Sequence, residues 1–219
     1  MGKYTAVLFD FDGTVAYTAK DVWNSVRYGF ERAGLVLPEA YAADNRNLAY
    51  LVEDMVEQLY PEAGPEVRRV AAEGVSEHYR YLSDYPDTVL YPHMEEILTL
   101  LRQEGVPTGI LSNKGDYSLG RILERKGWRK YFTSYRGTLD TDPDTIGKIG
   151  RLGAYMKQFD VSRGLYIGDS AGDVEAAKAN GLPCVGVLYG DGDPELVKQS
   201  RPDVLCATPE ALLRFLKEE

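Results

Sequence analysis

The sequence predicts an α/β fold: a doubly wound, Rossmann-like parallel sheet with a helical cap domain inserted after its first strand. Three features predict it, namely a short apolar run that ends at a carboxylate, a long segment with only helical periodicity, and a regular strand–helix alternation from residue 91 onwards. Strands that alternate with helices form parallel sheets through right-handed crossovers, with helices on both faces. The length of 219 residues suits such a core with a smaller appended unit.

The first strand is predicted at Thr5–Phe9, an apolar run that ends at Asp10 and is broken at Gly13. Further strands and helices alternate in the C-terminal part of the chain. The predicted strands there are Thr108–Leu111, Tyr131–Tyr135, Gly164–Ile167, Cys184–Leu188 and Asp203–Leu205. The predicted helices are Met94–Gln103, Leu119–Lys126, Ile146–Phe159, Val174–Ala179, Pro194–Gln199 and Pro209–Leu216.

Between these parts, the segment from Ala19 to about Tyr81 repeats apolar residues at helical spacing, and no strand pattern interrupts it. We therefore expect an α/β catalytic core formed by residues 1–15 and 86–219. Residues 16–85 are predicted to form the helical cap domain over the strand ends, where a cap excludes water and completes a site.

Composition and charge exclude several classes of partner. The formal net charge is −9, and no basic cluster occurs beyond Arg121–Lys130, which argues against a nucleic-acid partner. No apolar run approaches the roughly 20 residues that span a bilayer, and no signal-peptide pattern is present. Cys184 and Cys206 are not in a CxxC pair and predict two buried, reduced thiols. These features predict a cytoplasmic protein with no membrane partner, and they leave its oligomeric state open.

Polar residues follow the predicted strands at the edge where open α/β sheets bind ligands. The residues expected at that edge are Asp10, Asp12, Ser112, Asn113, Asp169 and Asp173. Carboxylates this close repel one another, so a divalent cation or a shared proton is needed. A set of oxygen ligands favours Mg²⁺ over zinc. Gly13 lets the backbone turn tightly beside such a site.

Three segments carry a resemblance to a known family. Asp10–Thr14 (DFDGT) resembles the first motif of the haloacid dehalogenase superfamily, Leu111–Lys114 (LSNK) the second, and Gly168–Asp173 (GDSAGD) the fourth, in the same order and spacing. Three shorter segments resemble its phosphoglycolate phosphatase-like branch. They are Leu90–Pro92, Gly181–Pro183 and Tyr189–Gly190. The resemblance covers nearly the whole chain and is weakest in the helical insert.

The resemblance implies a phosphatase mechanism. Asp10 would attack phosphorus and form an aspartyl-phosphate, while Asp12 would protonate the leaving oxygen and then activate water. Ser112 would hydrogen-bond a phosphoryl oxygen, helped by Asn113 or nearby backbone N–H groups. The phosphate ester would also contact Gly13, Thr14 and Tyr17.

The same resemblance implies how Mg²⁺ would be held. Its ligands would be Asp10, the backbone carbonyl of Asp12, and Asp169. Asp173 would be either a further ligand or a residue that orients the others. The ion would neutralise charge between the nucleophile and the phosphate.

The third motif of the family, a lysine before the fourth, departs from the usual pattern. Its Lys-Pro position holds Asp142, and Lys148 follows about one turn later. Lysine has a long flexible stem, so Lys148 is predicted to supply the catalytic cation, with Arg151 as the alternative. Asp144 or Thr145 is predicted to cap the helix that carries Lys148.

The leading functional hypothesis is Mg²⁺-dependent hydrolysis of a small, phosphoglycolate-like phosphomonoester. The alternatives are a sugar-phosphate mutase of the β-phosphoglucomutase type and a non-catalytic phosphate-binding or regulatory protein. Dehalogenation is disfavoured, because related dehalogenases generally lack an acid at the position of Asp12. In the cap, Tyr17, Arg46 and Asn47 are expected to face the substrate, with Arg46 suited to a second anionic group.

Overall fold

The computed structural model describes residues 4–143 and 146–218. The chain forms two compact units. The core unit comprises Met1–Tyr17 and Val89–Glu219, and the helical unit comprises Thr18–Thr88. The predicted cap for Lys148's helix, Asp144 or Thr145, lies outside the described residues.

Within the described ranges the chain has eight strands, ten α-helices and three shorter helical turns. The strands are β1 (Ala6–Phe9), β2 (Ala16–Tyr17), β3 (Val89–Leu90), β4 (Thr108–Gly115), β5 (Ser134–Thr138), β6 (Gly164–Gly168), β7 (Cys184–Val187) and β8 (Val204–Cys206). The α-helices are α1 (Ala19–Arg32), α2 (Glu39–Ala42), α3 (Val52–Leu59), α4 (Pro65–Glu77), α5 (Met94–Gln103), α6 (Asp116–Arg125), α7 (Gly147–Gln158), α8 (Ala171–Ala179), α9 (Pro194–Gln199) and α10 (Pro209–Glu218).

The main sheet has six strands in the order β5-β4-β1-β6-β7-β8, and all neighbouring pairs are parallel. The chain moves outward from β1 through β4 to β5, then crosses back to β6 and continues to β7 and β8. Right-handed crossovers in the two directions place helices on opposite faces. This arrangement confirms the predicted doubly wound α/β fold, and its strand order reverses at β1, where such sheets bind ligands.

The central position of β1 in the sheet explains why its sequence is an unbroken apolar run. Strands flank β1 on both sides and all four of its residues are buried, so no position on it faces water. On one face, side chains of α7 and α8 pack against the central strands. This cluster consists of Ala6, Leu8, Leu111, Leu152, Tyr155, Val161, Tyr166, Val174, Ala176, Ala177, Leu182 and Cys184. The residues that follow β1, β4 and β6 are thus held by a rigid, close-packed base.

The helical unit contains helices and turns but no strand among residues 18–88, in agreement with its periodicity. Its longest helices, α1 and α4, approach closely where glycines face each other. A Cβ at Gly29 would lie 2.4 Å from Ala71 O, and one at Gly74 would lie 2.9 Å from Gly29 Cα. Asp21 joins the two ends of the unit, because its Oδ2 accepts from Thr88 Oγ1 at 2.7 Å.

A short antiparallel ribbon marks the boundary between the units. β2 pairs with β3, with Ala16 opposite Leu90 and Tyr17 opposite Val89. Because of this pairing Ala16 and Tyr17 fall in the core unit, whereas the sequence places them in the cap. The compact helical unit accordingly spans Thr18–Thr88 instead of the predicted 16–85.

Two predicted strands differ from the structure. The strand predicted at Tyr131–Tyr135 is wrong at its start, because Arg129–Tyr131 is a 3-10 turn and β5 begins at Ser134. Tyr131 and Phe132 are buried in the core, so their apolar character reflects packing and not strand structure. β4 continues to Gly115, well past the predicted end at Leu111.

Other composition-based predictions have mixed outcomes. Cys184 and Cys206 are free and buried, as predicted. In the described part of the chain, no helix combines the length and apolar character that crossing a membrane requires. The cytoplasmic location stays a prediction.

Candidate active site

Asp10 is the first residue after β1, and its backbone N–H still joins the ladder with β6. The chain then turns tightly, because the backbone N–H groups of residues 14–16 all donate to Phe11 O. Gly13 makes this turn with a φ of +73°, where a side chain is strained. A Cβ at Gly13 would also lie 2.1 Å from Asp169 Oδ2, so glycine lets the two segments meet.

Three carboxylates converge at this edge of the sheet. Asp10 follows β1, Asp169 follows β6, and Asp173 lies in the first turn of α8. One oxygen from each lies within 4.8 Å of the others, and all three residues are buried. The structure therefore brings together three of the four predicted metal-binding carboxylates.

Burial and the neighbouring carboxylates disfavour the charged forms of Asp10 and Asp169. Burial raises the pKa of Asp10 to about 6; the Lys148 ammonium lowers it, and the Asp173 and Asp12 carboxylates raise it. Burial also raises the pKa of Asp169 well above its usual value, and Asp10 and Asp173 raise it further. A cation at this place would relieve the repulsion and favour the ionised carboxylates.

Lys148, the second residue of α7, contacts two of the three carboxylates. Its Nζ donates to Asp10 Oδ1 at 2.8 Å and pairs with Asp173 Oδ1. It also lies 5.9 Å from the centre of the Tyr166 ring. Burial by itself lowers the pKa of Lys148, but Asp10 and Asp173 outweigh this effect and hold it well above its usual value. Lys148 is thus a buried ammonium in contact with the predicted nucleophile.

Asp173 already has partners for both of its oxygens. Oδ2 accepts from Ser170 N at 3.0 Å and Ser170 Oγ at 2.6 Å, which completes a capping box at the start of α8. Oδ1 accepts from the Tyr166 hydroxyl at 3.2 Å and from Lys148. The single proton of the Tyr166 hydroxyl is also within reach of Leu111 O, so these contacts use most of the acceptor capacity of the Asp173 carboxylate. They favour a role for Asp173 in orienting Lys148 over a role as a metal ligand.

Tyr166 is a site residue that sequence reasoning missed. It lies in β6 and is fully buried, so the sequence alone indicates only a residue that packs in the core. Its hydroxyl lies near Leu111 O at 3.0 Å, next to Ser112, as well as near Asp173. The polar end of this buried ring therefore connects the end of β4 to the carboxylate cluster.

Asp169 is held by backbone groups of the loop after β7. Its Oδ2 accepts from Asp191 N at 2.9 Å and Gly192 N at 3.0 Å. Its Oδ1 accepts from Thr14 Oγ1 at 3.4 Å. Tyr189, at the start of this loop, donates from its hydroxyl to Thr14 O at 3.0 Å. Sequence reasoning missed this role, for which the glycines at 190 and 192 were the available signal.

Asp12, the predicted acid and base, lies outside the buried cluster and is one-third exposed. Its Oδ1 lies 3.1 Å from the Nζ of Lys114, whose side chain is only 6% exposed. Lys114 N donates to Ser112 Oγ at 3.3 Å, so Ser112 and Lys114 lie together in the C-terminal part of β4. Lys114 has no assigned role in the sequence-based reading.

Arg151, the alternative catalytic cation, lies one turn beyond Lys148 and contacts Asn113 Oδ1 instead of Asp10. Arg151 is 7% exposed, and its Nε has no hydrogen-bond partner among the described residues. Burial lowers the pKa of Arg151, and nearby Arg136, which pairs with Asp142, lowers it further. These contacts favour Lys148 over Arg151 as the catalytic cation, because Lys148 contacts Asp10 whereas Arg151 contacts Asn113.

The residues predicted to face the substrate have different surroundings. Tyr17 is in β2 of the core unit. Arg46 and Asn47 are in the helical unit, where Arg46 pairs with Asp44 at 2.6 Å and Asn47 Nδ2 donates to Tyr41 O at 2.8 Å. Their contacts with a ligand stay predictions.

The buried donor set fits Mg²⁺. Asp10 and Asp169 offer carboxylate oxygens within a few ångströms of each other, and neither has all of its acceptor capacity used by the contacts described above. Hard oxygen ligands without histidine or thiolate are typical of Mg²⁺ sites. Burial raises the pKa of both residues, and a bound cation would lower both pKa values again. The backbone carbonyl of Asp12 stays a predicted ligand.

A family model for haloacid dehalogenase-like hydrolases matches residues 7–187 of this chain. The chain belongs to this family. The membership confirms the family resemblance and the predicted class of enzyme, a hydrolase. The match includes all three recognised motifs and extends across the helical unit.

Two curated relatives show how far the likeness extends. A phosphoglycolate phosphatase from Shigella boydii is 34% identical over 145 residues, which cover 63% of this chain and 56% of the relative. The chain thus matches little more than half the length of that relative. A phosphoglycolate phosphatase from Neisseria meningitidis is 31% identical over 217 residues, which cover 94% of this chain and 91% of the relative. Both agree with the predicted branch of the family.

Solved structures share the same fold. A structure described as a predicted phosphatase from Clostridium acetobutylicum has a TM-score of 0.83 and 23% identity, with 99% of each chain covered. At this identity the likeness shows the fold alone. It places the six-stranded sheet and the helical unit of this chain within one known architecture.

Proposed function

We propose that this protein is a Mg²⁺-dependent phosphatase that hydrolyses a small phosphomonoester through an aspartyl-phosphate on Asp10. The observation that carries the proposal is the buried cluster of Asp10, Asp169 and Asp173 with the Lys148 ammonium on Asp10. Family membership and the curated phosphoglycolate phosphatases support the same reaction class.

In the first step, an Asp10 oxygen attacks phosphorus while the bond to the leaving oxygen breaks. Asp12 gives its proton to that oxygen, so the alcohol leaves neutral. Lys148 offsets the negative charges that meet during attack and holds Asp10 in place. The strand ladder at Asp10 and the tight turn at Gly13 keep the nucleophile rigid, so little reorganisation is needed.

In the second step, water attacks phosphorus and the bond to Asp10 breaks. Asp12 takes the water proton, and inorganic phosphate leaves with Asp10 restored. Ser112 is proposed to donate to a phosphoryl oxygen, with Asn113, Gly13 and Thr14 lining the same place. When bound, Mg²⁺ supplies positive charge between carboxylate and phosphate, with Asp10 and Asp169 as its carboxylate ligands.

The helical unit is proposed to act as the cap that excludes water and selects the substrate. Its compactness and its insertion between β2 and β3 support this role. A phosphoglycolate-like ester is the first substrate to test, because the curated relatives above carry that name.

The test is phosphate release from 2-phosphoglycolate and from a generic aryl phosphate, with and without Mg²⁺. Wild-type protein should be active with Mg²⁺, inactive in excess EDTA, and restored by added Mg²⁺. Ca²⁺ should substitute poorly, because its looser coordination shell differs from the octahedral one of Mg²⁺. Full activity in metal-free buffer would contradict the metal requirement.

Asp10→Asn provides the decisive variant, because an amide cannot attack phosphorus. A folded variant without turnover supports covalent catalysis, whereas substantial phosphate release from it would refute that mechanism. Phosphate migration on a sugar phosphate without phosphate release would indicate the mutase alternative. Tight phosphate binding with no turnover of any ester would indicate a non-catalytic binding protein.

A further inference from the structure

Lys114 is a buried cation that the proposed mechanism leaves unused. It lies near the carboxyl end of β4, and its side chain is 6% exposed although lysines are rarely enclosed. Enclosing an ammonium is costly unless an anion compensates it. Asp12 Oδ1, at 3.1 Å from Nζ, is one such anion.

The partner of Lys114 defines where its charge acts. If the proposed function holds, Asp12 faces the oxygen that leaves with the alcohol. The ammonium of Lys114, in contact with Asp12, then lies beside the leaving group. Lys148, in contrast, contacts Asp10 and Asp173 on the nucleophile side. The two buried lysines therefore contact different groups of the proposed mechanism, Lys148 the nucleophile and Lys114 the acid.

We propose that Lys114 is a specificity-determining residue that selects phosphomonoesters whose leaving group carries a carboxylate next to the ester oxygen. An ammonium is a compact charge with three donors, so it is able to keep its contact with Asp12 while it binds a second anion. In 2-phosphoglycolate the carboxylate is attached to the carbon that bears the ester oxygen. This short spacing matches a cation that contacts the acid beside that oxygen.

The competing explanation is that Lys114 only balances the charge of Asp12. In that case it would affect all phosphomonoesters equally, because every one of them uses Asp12. A specificity role affects only esters with an anionic leaving group. The two explanations are therefore separated by comparing an ester that has an anionic leaving group with a neutral ester of nearly equal size. An equal loss of activity on both esters would not indicate a specificity role.

The experiment measures kcat/KM for 2-phosphoglycolate and for 2-hydroxyethyl phosphate, in which a neutral hydroxymethyl group replaces the carboxylate. Wild-type protein should prefer 2-phosphoglycolate. Lys114→Met keeps the apolar stem and removes the charge, and it should lower the preference by roughly 10- to 100-fold, as expected for a charge-assisted hydrogen bond. Lys114→Arg should retain part of the preference.

Lys198→Met is the matched control, because Lys198 is an exposed lysine of α9 paired with Glu195. It should leave the preference unchanged. Equal losses on both substrates in Lys114→Met, or no loss on either, overturn the inference. If Lys114→Met fails to fold, Lys114→Gln removes the same charge and decides by the same comparison. Equal kcat/KM of the wild-type protein for the two substrates also overturns the inference. Wild-type protein inactive on every ester would refute the proposed function itself, and the inference with it.

Discussion

On one flank of the carboxylate cluster, the carboxylates are held by other side chains. Lys148 contacts both Asp10 and Asp173, and the Tyr166 hydroxyl also contacts Asp173. We call this the ammonium flank. On the other flank, backbone N–H groups of Asp191 and Gly192 hold Asp169; we call this the amide flank. Both hold carboxylates of the same site in place.

The two flanks differ in how they can be disrupted. On the ammonium flank, removing one side chain leaves a buried charge without its partner, which is costly. On the amide flank the donors belong to the backbone, so only proline removes a donor directly and other substitutions displace the donors through added bulk. We therefore expect the ammonium flank to control turnover and the amide flank to control metal affinity.

Lys148→Ala should have the largest effect, a loss in kcat/KM of roughly 100-fold or about 3 kcal/mol. The reason is that Asp10 and the phosphoryl group lose the cation at 2.8 Å from the nucleophile. Steady-state kinetics at saturating Mg²⁺ provide the measurement. Arg151→Ala is the control and should lose much less, because Arg151 contacts Asn113. If the arginine variant were the damaged one, the catalytic cation would be Arg151.

Gly190→Ala should weaken Mg²⁺ binding by roughly 10- to 100-fold, as for changes to groups that orient metal ligands. Its Cβ would lie 2.3 Å from both Asp169 Oδ2 and Gly13 O, so the loop has to move. Calorimetric titration with Mg²⁺ measures the loss, and activity should recover as Mg²⁺ is raised. Gly172→Ala is the control, since its Cβ would lie 3.7 Å from Ser170 Oγ, an ordinary van der Waals contact. Unchanged Mg²⁺ affinity in Gly190→Ala would disprove the role of the amide flank.

Tyr166→Phe should lower kcat by about tenfold and leave Mg²⁺ affinity unchanged. It removes one hydroxyl near Asp173 and Leu111 O, an interaction worth about 1 kcal/mol in typical proteins. Tyr155→Phe makes the same chemical change at another buried tyrosine, whose hydroxyl contacts Ser134. If both variants behave alike, Tyr166 acts through general stability and not through Lys148.

Asp10→Asn should raise the Tm of the protein in EDTA at pH 7.5 by about 3 °C, the smallest effect of the set. Burial raises the pKa of Asp10 from an ordinary value of 3.8 to about 6 in the folded protein, so the folded state binds more protons between these pH values. Stability of the wild-type protein therefore falls as pH rises through that window. The Tm difference should shrink from pH 7 towards pH 4. A difference that does not depend on pH would contradict this origin.

Sequence reasoning located the fold and the ammonium flank because both depend on residue type and spacing. The apolar run before Asp10 and the strand–helix alternation follow from periodicity, and Lys148 follows from the resemblance to the third motif of the family, at the start of a helix. The amide flank was missed because its donors are backbone atoms, which are the same in every residue. Tyr166 was missed because a buried aromatic residue in a strand is usually packing alone.

Other details depend on long-range contacts that spacing does not encode. The start of β5 was misplaced because Tyr131 and Phe132 are apolar for packing reasons. The unit boundary depends on a two-residue ribbon, which is too short to produce an alternating pattern. The partner of Lys114 lies about a hundred residues away, and only the folded sheet brings it to Asp12.

The ribbon formed by β2 and β3 has a consequence for the architecture of the chain. Because Tyr17 lies directly opposite Val89, the helical unit takes the topological place of the turn in a β-hairpin. A hairpin fixes where its strands begin and end, and it accepts turns of very different length, because loop-closure entropy grows only slowly with length. The ribbon therefore sets no limit on the length of the segment inserted between Tyr17 and Val89. We expect a different insert, or a two-residue turn, at this junction to leave the strand order of the core unchanged.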